Sequence, residues 1–395
     1  MINRSKGRDR IRIACIGARG MPSNYSGIER ACEGLYSELA RRGHDVTVYC
    51  RNEYVPKEIS SYRGVRLISL PALHLRSLDT LSHVTASLLH ALVCDRYDVI
   101  HLHALAPGIV SPFCRLAKTP IVATIHGLDW QRAKWKGAGS KILKLGERCL
   151  VRNAAQMIVV SGELRQYFRT EYGRDTVHIP NGVEAPTAGE SEDTGTLSEF
   201  GLLPRDYVLY LGRLVPEKRI EDLIIAYREV PGTRPLVIVG AGEFTGGYVG
   251  DLKRLAAGDS RVMFTGAQQR PVVHSLLHNA ALFVLPSELE GLPMSLLECI
   301  QHGTPAVVSD IGPHRELLGP VQGYNLFFTA TDTIALRDRM IQALGAEDHY
   351  RRVARCARLL IERNHSWASI AQSTEEVFYA SLEHPTTNGP VLARI

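Results

Sequence analysis

The feature that most constrains this chain is an alternation. Short runs rich in β-branched and apolar residues are followed by longer stretches whose apolar residues recur every three or four positions. The short runs read as buried strands and the longer stretches as helices packed by one face. Such a succession favours parallel strands joined by crossover helices, in sheets covered on both faces. The first half predicts strands at Ile11 to Gly17, Val46 to Cys50, Val65 to Leu70, Val99 to His103, Ile121 to Thr124 and Met157 to Val160. Between them run helices such as Ile28 to Arg42, Leu78 to Cys94 and Ser140 to Arg152. A second series follows, with strands at Tyr207 to Gly212, Leu236 to Gly240, Val262 to Thr265, Leu282 to Leu285 and Ala306 to Ser309. The expectation is an α/β protein of two doubly wound domains.

The two series are separated by a stretch rich in small, acidic and proline residues, which reads as a linker over 184–203. This gives a first domain over 1–183 and a second over 204–366, then a helical stretch over 367–384 and a disordered tail over 385–395. A chain of 395 residues has room for two cores. Its 45% apolar and 22% charged residues are the balance of a soluble globular protein. No apolar run approaches the roughly 18 residues of a membrane span. The basic start MINRSKGRDR passes directly into a strand without the apolar segment of a secretory signal, so a cytoplasmic location is expected. The eight cysteines lack paired metal or redox spacing and read as reduced, mostly buried thiols. A net charge of +5 is too weak to imply nucleic acid but suits a phosphate-bearing substrate or an anionic membrane surface.

Open α/β sheets bind ligands beyond the carboxyl ends of their strands. Arg213 and Lys218 follow the strand Tyr207 to Gly212. A guanidinium fork and an ammonium there would suit a diphosphate; the alternative is a solvated loop paired to Glu217 or Glu221. The segment from Pro286 to Glu298 follows the strand Leu282 to Leu285. In it Gly291 permits close backbone approach, Leu292 comes next, and Pro293 suits the first turn of a helix whose free N–H groups would face a ligand. Glu290 and Glu298, with seven residues between them, place one carboxylate before that helix and one within it. Carboxylates accept pairs of hydrogen bonds from sugar and ribose diols, although Glu290 could also simply favour the helix start. In the first half, Ser26 and Gly27 stand where a helix begins, as a phosphate or sugar contact or as a tight turn. His126 and Asp129 follow the strand Ile121 to Thr124, and Asn181 lies at the end of the first series, as a site residue or a plain turn. No Asp-x-Asp occurs. No metal is therefore expected, and Arg213, Lys218 and helix dipoles would neutralise a leaving diphosphate.

Taken together, G-R-L-V-P-E-K at 212–218, the pair Glu290 and Glu298 in P-S-E-L-E-G-L-P-M-S-L-L-E, V-S-G-E-L at 160–164 and I-P-N-G-V at 179–183 resemble glycosyltransferase family 4 over nearly the whole chain. The resemblance implies the GT-B fold, two Rossmann-like domains facing across a cleft, with a C-terminal helix crossing back to the first domain. It implies that Arg213 and Lys218 hold the diphosphate of a nucleotide sugar. Glu290 would face the transferred sugar with Gly291, Leu292 and Pro293 beside it, Glu298 the ribose, and His126 the donor sugar. Ser26 and Gly27 would lie near phosphate and acceptor, in a Ser-Gly pair where the family usually has two glycines. G-A-R-G-M-P-S-N-Y-S-G-I-E-R at 17–30, L-D-T-L-S-H at 78–83 and H-G-L-D-W-Q-R-A-K-W at 126–135 are similar to a bacterial subgroup that includes rhamnosyltransferases of polysaccharide assembly.

The implied activity is retaining, metal-independent transfer of a hexose or deoxyhexose, with rhamnose from dTDP-rhamnose as the leading donor. The expected acceptor is a glycan on polyprenyl diphosphate, in cell-surface polysaccharide synthesis. Asp129, Arg132, Lys134, Trp135 and Asn181 are the acceptor-side candidates. Lys141, Lys144, Arg148 and Arg152 form a basic stripe that would rest on anionic lipid or would be a solvated helix face. Three rivals are distinguishable. A nucleotide-sugar 2-epimerase of the same fold would act without an acceptor, a phosphorylase would need a pyridoxal-binding lysine, and a non-catalytic sugar-nucleotide-binding protein would not need all four of Arg213, Lys218, Glu290 and Glu298.

Overall fold

The computed structural model describes residues 10–23, 26–55, 58–73, 79–116, 118–132, 137–184, 195–242 and 247–384. They form two compact units, and residues 183–366 make up nearly all of the second.

The first unit is built on an eight-stranded sheet: β1 Arg12–Ile16, β2 Asp45–Arg51, β3 Ser61–Tyr62, β4 Val65–Leu70, β5 Val99–His103, β6 Ile121–Ile125, β7 Gln156–Val159 and β8 Val177–His178. The strand order is β3-β4-β2-β1-β5-β6-β7-β8, parallel except for the β3–β4 edge pair. The order reverses direction beside β1, so the loops after β1 and β5 open at a topological switch point. The helix Gly27–Arg41 lays Cys32, Leu35, Tyr36 and Leu39 against the sheet. The helix Trp367–Glu383 belongs to this unit and buries Phe378 completely in the same core. Gly34 and Gly182 make room for it, since a Cβ on either would sit 2.1 Å or 2.6 Å from the Trp367 ring. The chain end thus returns to the first unit.

The second unit holds six strands: β9 Val208–Leu211, β10 Leu236–Val239, β11 Val262–Gly266, β12 Leu282–Leu285, β13 Ala306–Ser309 and β14 Phe327–Phe328. Their order is β11-β10-β9-β12-β13-β14, with every pairing parallel. Here the switch point lies between β9 and β12. Fully buried runs such as Leu282–Leu285 explain why these strands are continuous rather than alternating in hydrophobicity.

Several details differ from the sequence reading. The two-residue strands β3, β8 and β14 are too short to leave a pattern. The helix Gly195–Glu199 lies inside the stretch read as linker, because Leu197 is buried. Residues 185–194 and the tail 385–395 lie outside the described residues. Five cysteines are buried, Cys149 is half-buried, and Cys94 and Cys356 are exposed.

Candidate active site

The second unit gathers its candidates at the β9/β12 switch point. Past β9, Gly212 is followed by Arg213, whose carbonyl accepts a 3.0 Å hydrogen bond from the buried Tyr210 hydroxyl. Gly240, at the end of β10, packs so closely that a Cβ there would lie 1.8 Å from the Gly212 oxygen, and its φ of +146° also favours glycine. Lys218 ends the short turn Pro216–Lys218, and Arg219, at φ +52°, starts the next helix. The Lys218 ammonium donates to a carboxylate oxygen of Glu290. The pair is nearly enclosed, with side chains 11% and 10% exposed. The ion pair considered from sequence, Lys218 with Glu217 or Glu221, is not the one formed. Arg219 takes Glu221 at 3.3 Å and Asp222 at 2.8 Å, which leaves Lys218 turned inward toward Glu290.

Burial pushes the Lys218 ammonium below its ordinary pKa, against the pull of Glu290, and the Arg213 charge adds to the shift. Burial works against ionisation of Glu290 too, yet the charge of Lys218 and the hydrogen bond from its ammonium outweigh it and hold the carboxyl below its usual range. The two shifts thus have different main causes, burial for the ammonium and the adjacent cation, which overcomes burial, for the carboxylate.

Gly291, Leu292 and Pro293 are buried beside Glu290, and the helix Met294–Gln301 follows. Pro293 was expected in the first turn; it is instead the residue just before it, with an extended backbone and no side-chain cap. Glu298 is buried in the second turn of this helix. His314 was missed from sequence. It is wholly buried, its Nδ1 lies 2.8 Å from the Ser309 carbonyl, and burial pulls its pKa down to about 4. The ring is neutral and donates from Nδ1. Only the fold brings it to Glu290, since their interaction spans two β–α connections.

In the first unit, Ser26 precedes the helix Gly27–Arg41, and its hydroxyl donates to Glu29. Glu29 is buried and also accepts from the Arg19 backbone N–H at 3.1 Å, tying the loop after β1 to the helix start. Ser26 therefore takes part in the loop's own structure, the alternative weighed for it beside a ligand contact. His126 follows β6 and is buried beside His103, with their rings stacked at 5.2 Å. Asp129 begins the turn Asp129–Gln131 and Asn181 is buried beyond β8. Arg132, which groups with the second unit, is half-buried, while Lys134 and Trp135 lie outside the described residues. Glu147, also missed, is completely buried among three donors: Trp130 Nε1 at 2.9 Å, Tyr167 at 2.7 Å and Tyr172 at 2.5 Å. It anchors the turn that carries Asp129.

Among the described residues, one group of potential metal ligands stands together: Cys15, Cys32 and His103, with ligand atoms within 4.8 Å of one another in the core. Both ring nitrogens of His103 are already hydrogen-bonded, and burial raises the Cys32 thiol well above its ordinary pKa. A metal would need a thiolate and a free imidazole nitrogen, which this packing opposes.

Two doubly wound sheets, parallel but for the β3–β4 edge pair, carry the candidate side chains on loops past their strands and define a two-domain α/β protein. Comparison with known proteins agrees. Residues 26–182 match the Glycosyl transferase 4-like domain and residues 201–359 match Glycosyl transferases group 1. An uncharacterized glycosyltransferase of Methanocaldococcus jannaschii is 26% identical, the match covering 94% of this chain and 99% of that protein. A UDP-Gal:alpha-D-GlcNAc-diphosphoundecaprenol alpha-1,3-galactosyltransferase of Escherichia coli is 28% identical over 74% of this chain and 78% of its own. The solved sucrose-phosphate synthase of Thermosynechococcus elongatus superposes with a TM-score of 0.80 at 22% identity, covering 94% of this chain and 98% of that one. The chain belongs to the GT-B glycosyltransferases.

Proposed function

We propose that this transferase is retaining and metal-independent, and that it moves a sugar from a nucleotide diphosphate-sugar to a glycan carried on polyprenyl diphosphate. Rhamnose from dTDP-rhamnose is the leading donor, on the similarity of residues 17–30, 78–83 and 126–135 to rhamnosyltransferases of polysaccharide assembly. The observation that carries the reading is the enclosed Lys218–Glu290 pair beside Arg213 at the β9/β12 switch point. Arg213 and Lys218 hold the diphosphate and stabilise the charge that grows on it as the glycosidic bond breaks. Glu290, kept ionised by its depressed pKa and therefore an acceptor on both oxygens, orients the sugar hydroxyls. Glu298 accepts from the ribose, and Gly291 to Pro293 bring backbone close to the ligand. His126 touches the donor sugar. The acceptor hydroxyl attacks on the face the diphosphate leaves and gives its proton to a departing phosphate oxygen, so no protein nucleophile is required.

The lipid-linked acceptor is supported by the galactosyltransferase relative, whose name specifies a diphosphoundecaprenol substrate. It is supported also by the helix Ala138–Asn153, where Lys141, Lys144 and Arg148 are exposed beside apolar Ile142 and Leu145, 41% and 52% exposed. Exposed cations around exposed aliphatics suit an anionic bilayer surface. No helix among the described residues is long and apolar enough to cross a membrane. The protein should float with vesicles containing anionic phospholipid and not with neutral ones. A Lys141→Glu, Lys144→Glu, Leu145→Glu variant should lose that flotation, and equal recovery with both lipids would leave the stripe a solvated face.

The reaction itself is tested by offering dTDP-rhamnose, UDP-glucose, UDP-GlcNAc, UDP-galactose and GDP-mannose in EDTA, with polyprenyl-diphosphate-sugar acceptors, and following products by mass spectrometry. Acceptor-dependent release of one nucleotide, with an α-configured donor giving an α-linked product or a β-configured donor a β-linked one, is expected. Donor consumption without acceptor, or activity only after a divalent ion is restored, would overturn the assignment.

A further inference from the structure

Glu147 is a buried carboxylate that the proposed reaction does not use. It stands on the helix Ala138–Asn153 among Lys141, Lys144 and Arg148, yet those cations are exposed and Glu147 is completely buried. Its side chain turns inward, away from the basic stripe. Oε2 accepts from Trp130 Nε1 at 2.9 Å, and Oε1 accepts from the Tyr167 and Tyr172 hydroxyls at 2.7 Å and 2.5 Å. Burial and the carboxylate raise both phenols, Tyr172 to about 12, so each keeps its hydrogen and donates it. Among the described residues no lysine, arginine or histidine forms an ion pair with Glu147.

Stability alone does not select such a placement. A carboxylate taken out of water loses hydration that three neutral donors replace only in part, and a well-packed apolar side chain in its place is often as stable or more so. What an apolar side chain cannot do is hold an indole by its N–H. Trp130 sits in the turn Asp129–Gln131 past β6, where the Gln131 N–H donates to the Leu128 carbonyl at 2.9 Å. A turn of three residues has too few hydrogen bonds of its own to keep a fixed place. The helix Ala138–Asn153 grips the indole twice. Glu147 takes its N–H, and the Lys144 ammonium, three residues earlier on the same helix face, lies 4.2 Å from the ring centroid. Tyr167, from the helix Gly162–Tyr172, stands tilted against the ring at 6.4 Å. Asp129, next to Trp130 in the chain, is held through these contacts.

We propose that Glu147 is a positioning residue for the acceptor: through the Trp130 indole it fixes the turn on which Asp129 meets the acceptor sugar. This rests on the reading of Asp129 as an acceptor-side group and deepens it. The groups assigned to the diphosphate and the ribose, Arg213, Lys218 and Glu298, belong to the second unit. His126, three residues before the turn, has its own support, with Nε2 2.9 Å from Nδ1 of His103. Loss of Glu147 therefore falls on the acceptor and spares the donor.

The test is steady-state transfer, from the donor that the panel identifies to a polyprenyl-diphosphate sugar, with KM measured for each substrate. Trp130→Phe removes only the indole N–H, and Glu147→Leu removes its acceptor at similar bulk. Each is expected to raise the acceptor KM about tenfold or more and to leave the donor KM within about twofold of wild type. The double variant should be no worse than the worse single, since both break one link. Glu147→Gln keeps an oxygen for the indole and offers its amide hydrogens to the phenols, so it should retain the wild-type acceptor KM. A lowered Tm with an unchanged acceptor KM makes Glu147 a purely structural bolt and overturns the proposal. Additive singles overturn it too, as does a donor KM raised as much as the acceptor KM. If Glu147→Leu does not fold, Trp130→Phe and Glu147→Gln decide. The two readings fail differently. A wild type that uses no polyprenyl-diphosphate sugar removes the acceptor reading and this inference together, whereas a wild type that transfers, with variants of unchanged acceptor KM, removes the inference alone.

Discussion

Replacing Lys218 with methionine is expected to lower the unfolding free energy by about 3–5 kcal/mol and the transfer rate by about 10²–10³-fold. The stability loss follows from what is left behind. Glu290 stays buried with its partner ammonium gone. The double variant Lys218→Met, Glu290→Leu removes both charges, and most of the lost stability should return while transfer stays down. Denaturant unfolding of the two singles and the double, alongside kcat/KM, separates the effects. A pH series adds a sign. In the wild type the Glu290 carboxyl lies below its ordinary pKa, so its contribution is present above the unfolded value and fades as pH falls through the folded one. In Lys218→Met the same carboxyl has burial without its cation, its folded pKa rises, and the penalty is greatest at neutral pH and relieved by acid. The stability difference between variant and wild type should therefore shrink as pH drops from 7 toward 4.5. A constant difference would mean that Lys218 matters through packing alone. A double variant as unstable as the single would mean the pair itself holds the loop after β12.

The framework was legible because its strands are buried on both faces. Runs such as Val99–His103 or Leu282–Leu285 carry their own signal and are bounded as read, whereas the two-residue edge strands have no period to detect. The cations and carboxylates were found through strand ends and motif resemblance, but their pairing was not. Lys218 and Glu290 are 72 residues apart, and only the β9–β12 adjacency makes them neighbours rather than Lys218 and Glu221. The buried histidines beside His126 show the opposite case. His101 and His103 alternate on an otherwise apolar strand, a visible sign that two imidazoles share a buried face. What the sequence lacked was Tyr36, which reaches them from the helix Gly27–Arg41, and the register that sets Thr124 beside them. Glu147 was hidden for a related reason: it sits inside a basic stripe and reads as a surface countercharge until the helix is turned to bury it under Trp130.

Arg213→Ala should also lower kcat/KM by about 10²–10³-fold, but with a stability change of only about 1 kcal/mol. The contrast with Lys218 comes from where each side chain stands. Arg213 is half-buried, and the backbone beneath it is held by the Tyr210 hydroxyl and by the close packing of Gly240 on Gly212, neither of which depends on the guanidinium. Negative charge on the diphosphate increases as the sugar leaves, so an interaction with that charge strengthens toward the transition state and its loss falls on kcat more than on KM. Arg213→Lys keeps the charge and loses the two-pronged geometry, so it should recover part of the rate and not all of it. Steady-state kinetics with thermal unfolding on the same preparations provide the check. Alanine and lysine variants equally impaired would assign the effect to fork geometry, and near-normal transfer by Arg213→Ala would move the stabilisation of the leaving diphosphate to Lys218 and the start of the helix Met294–Gln301.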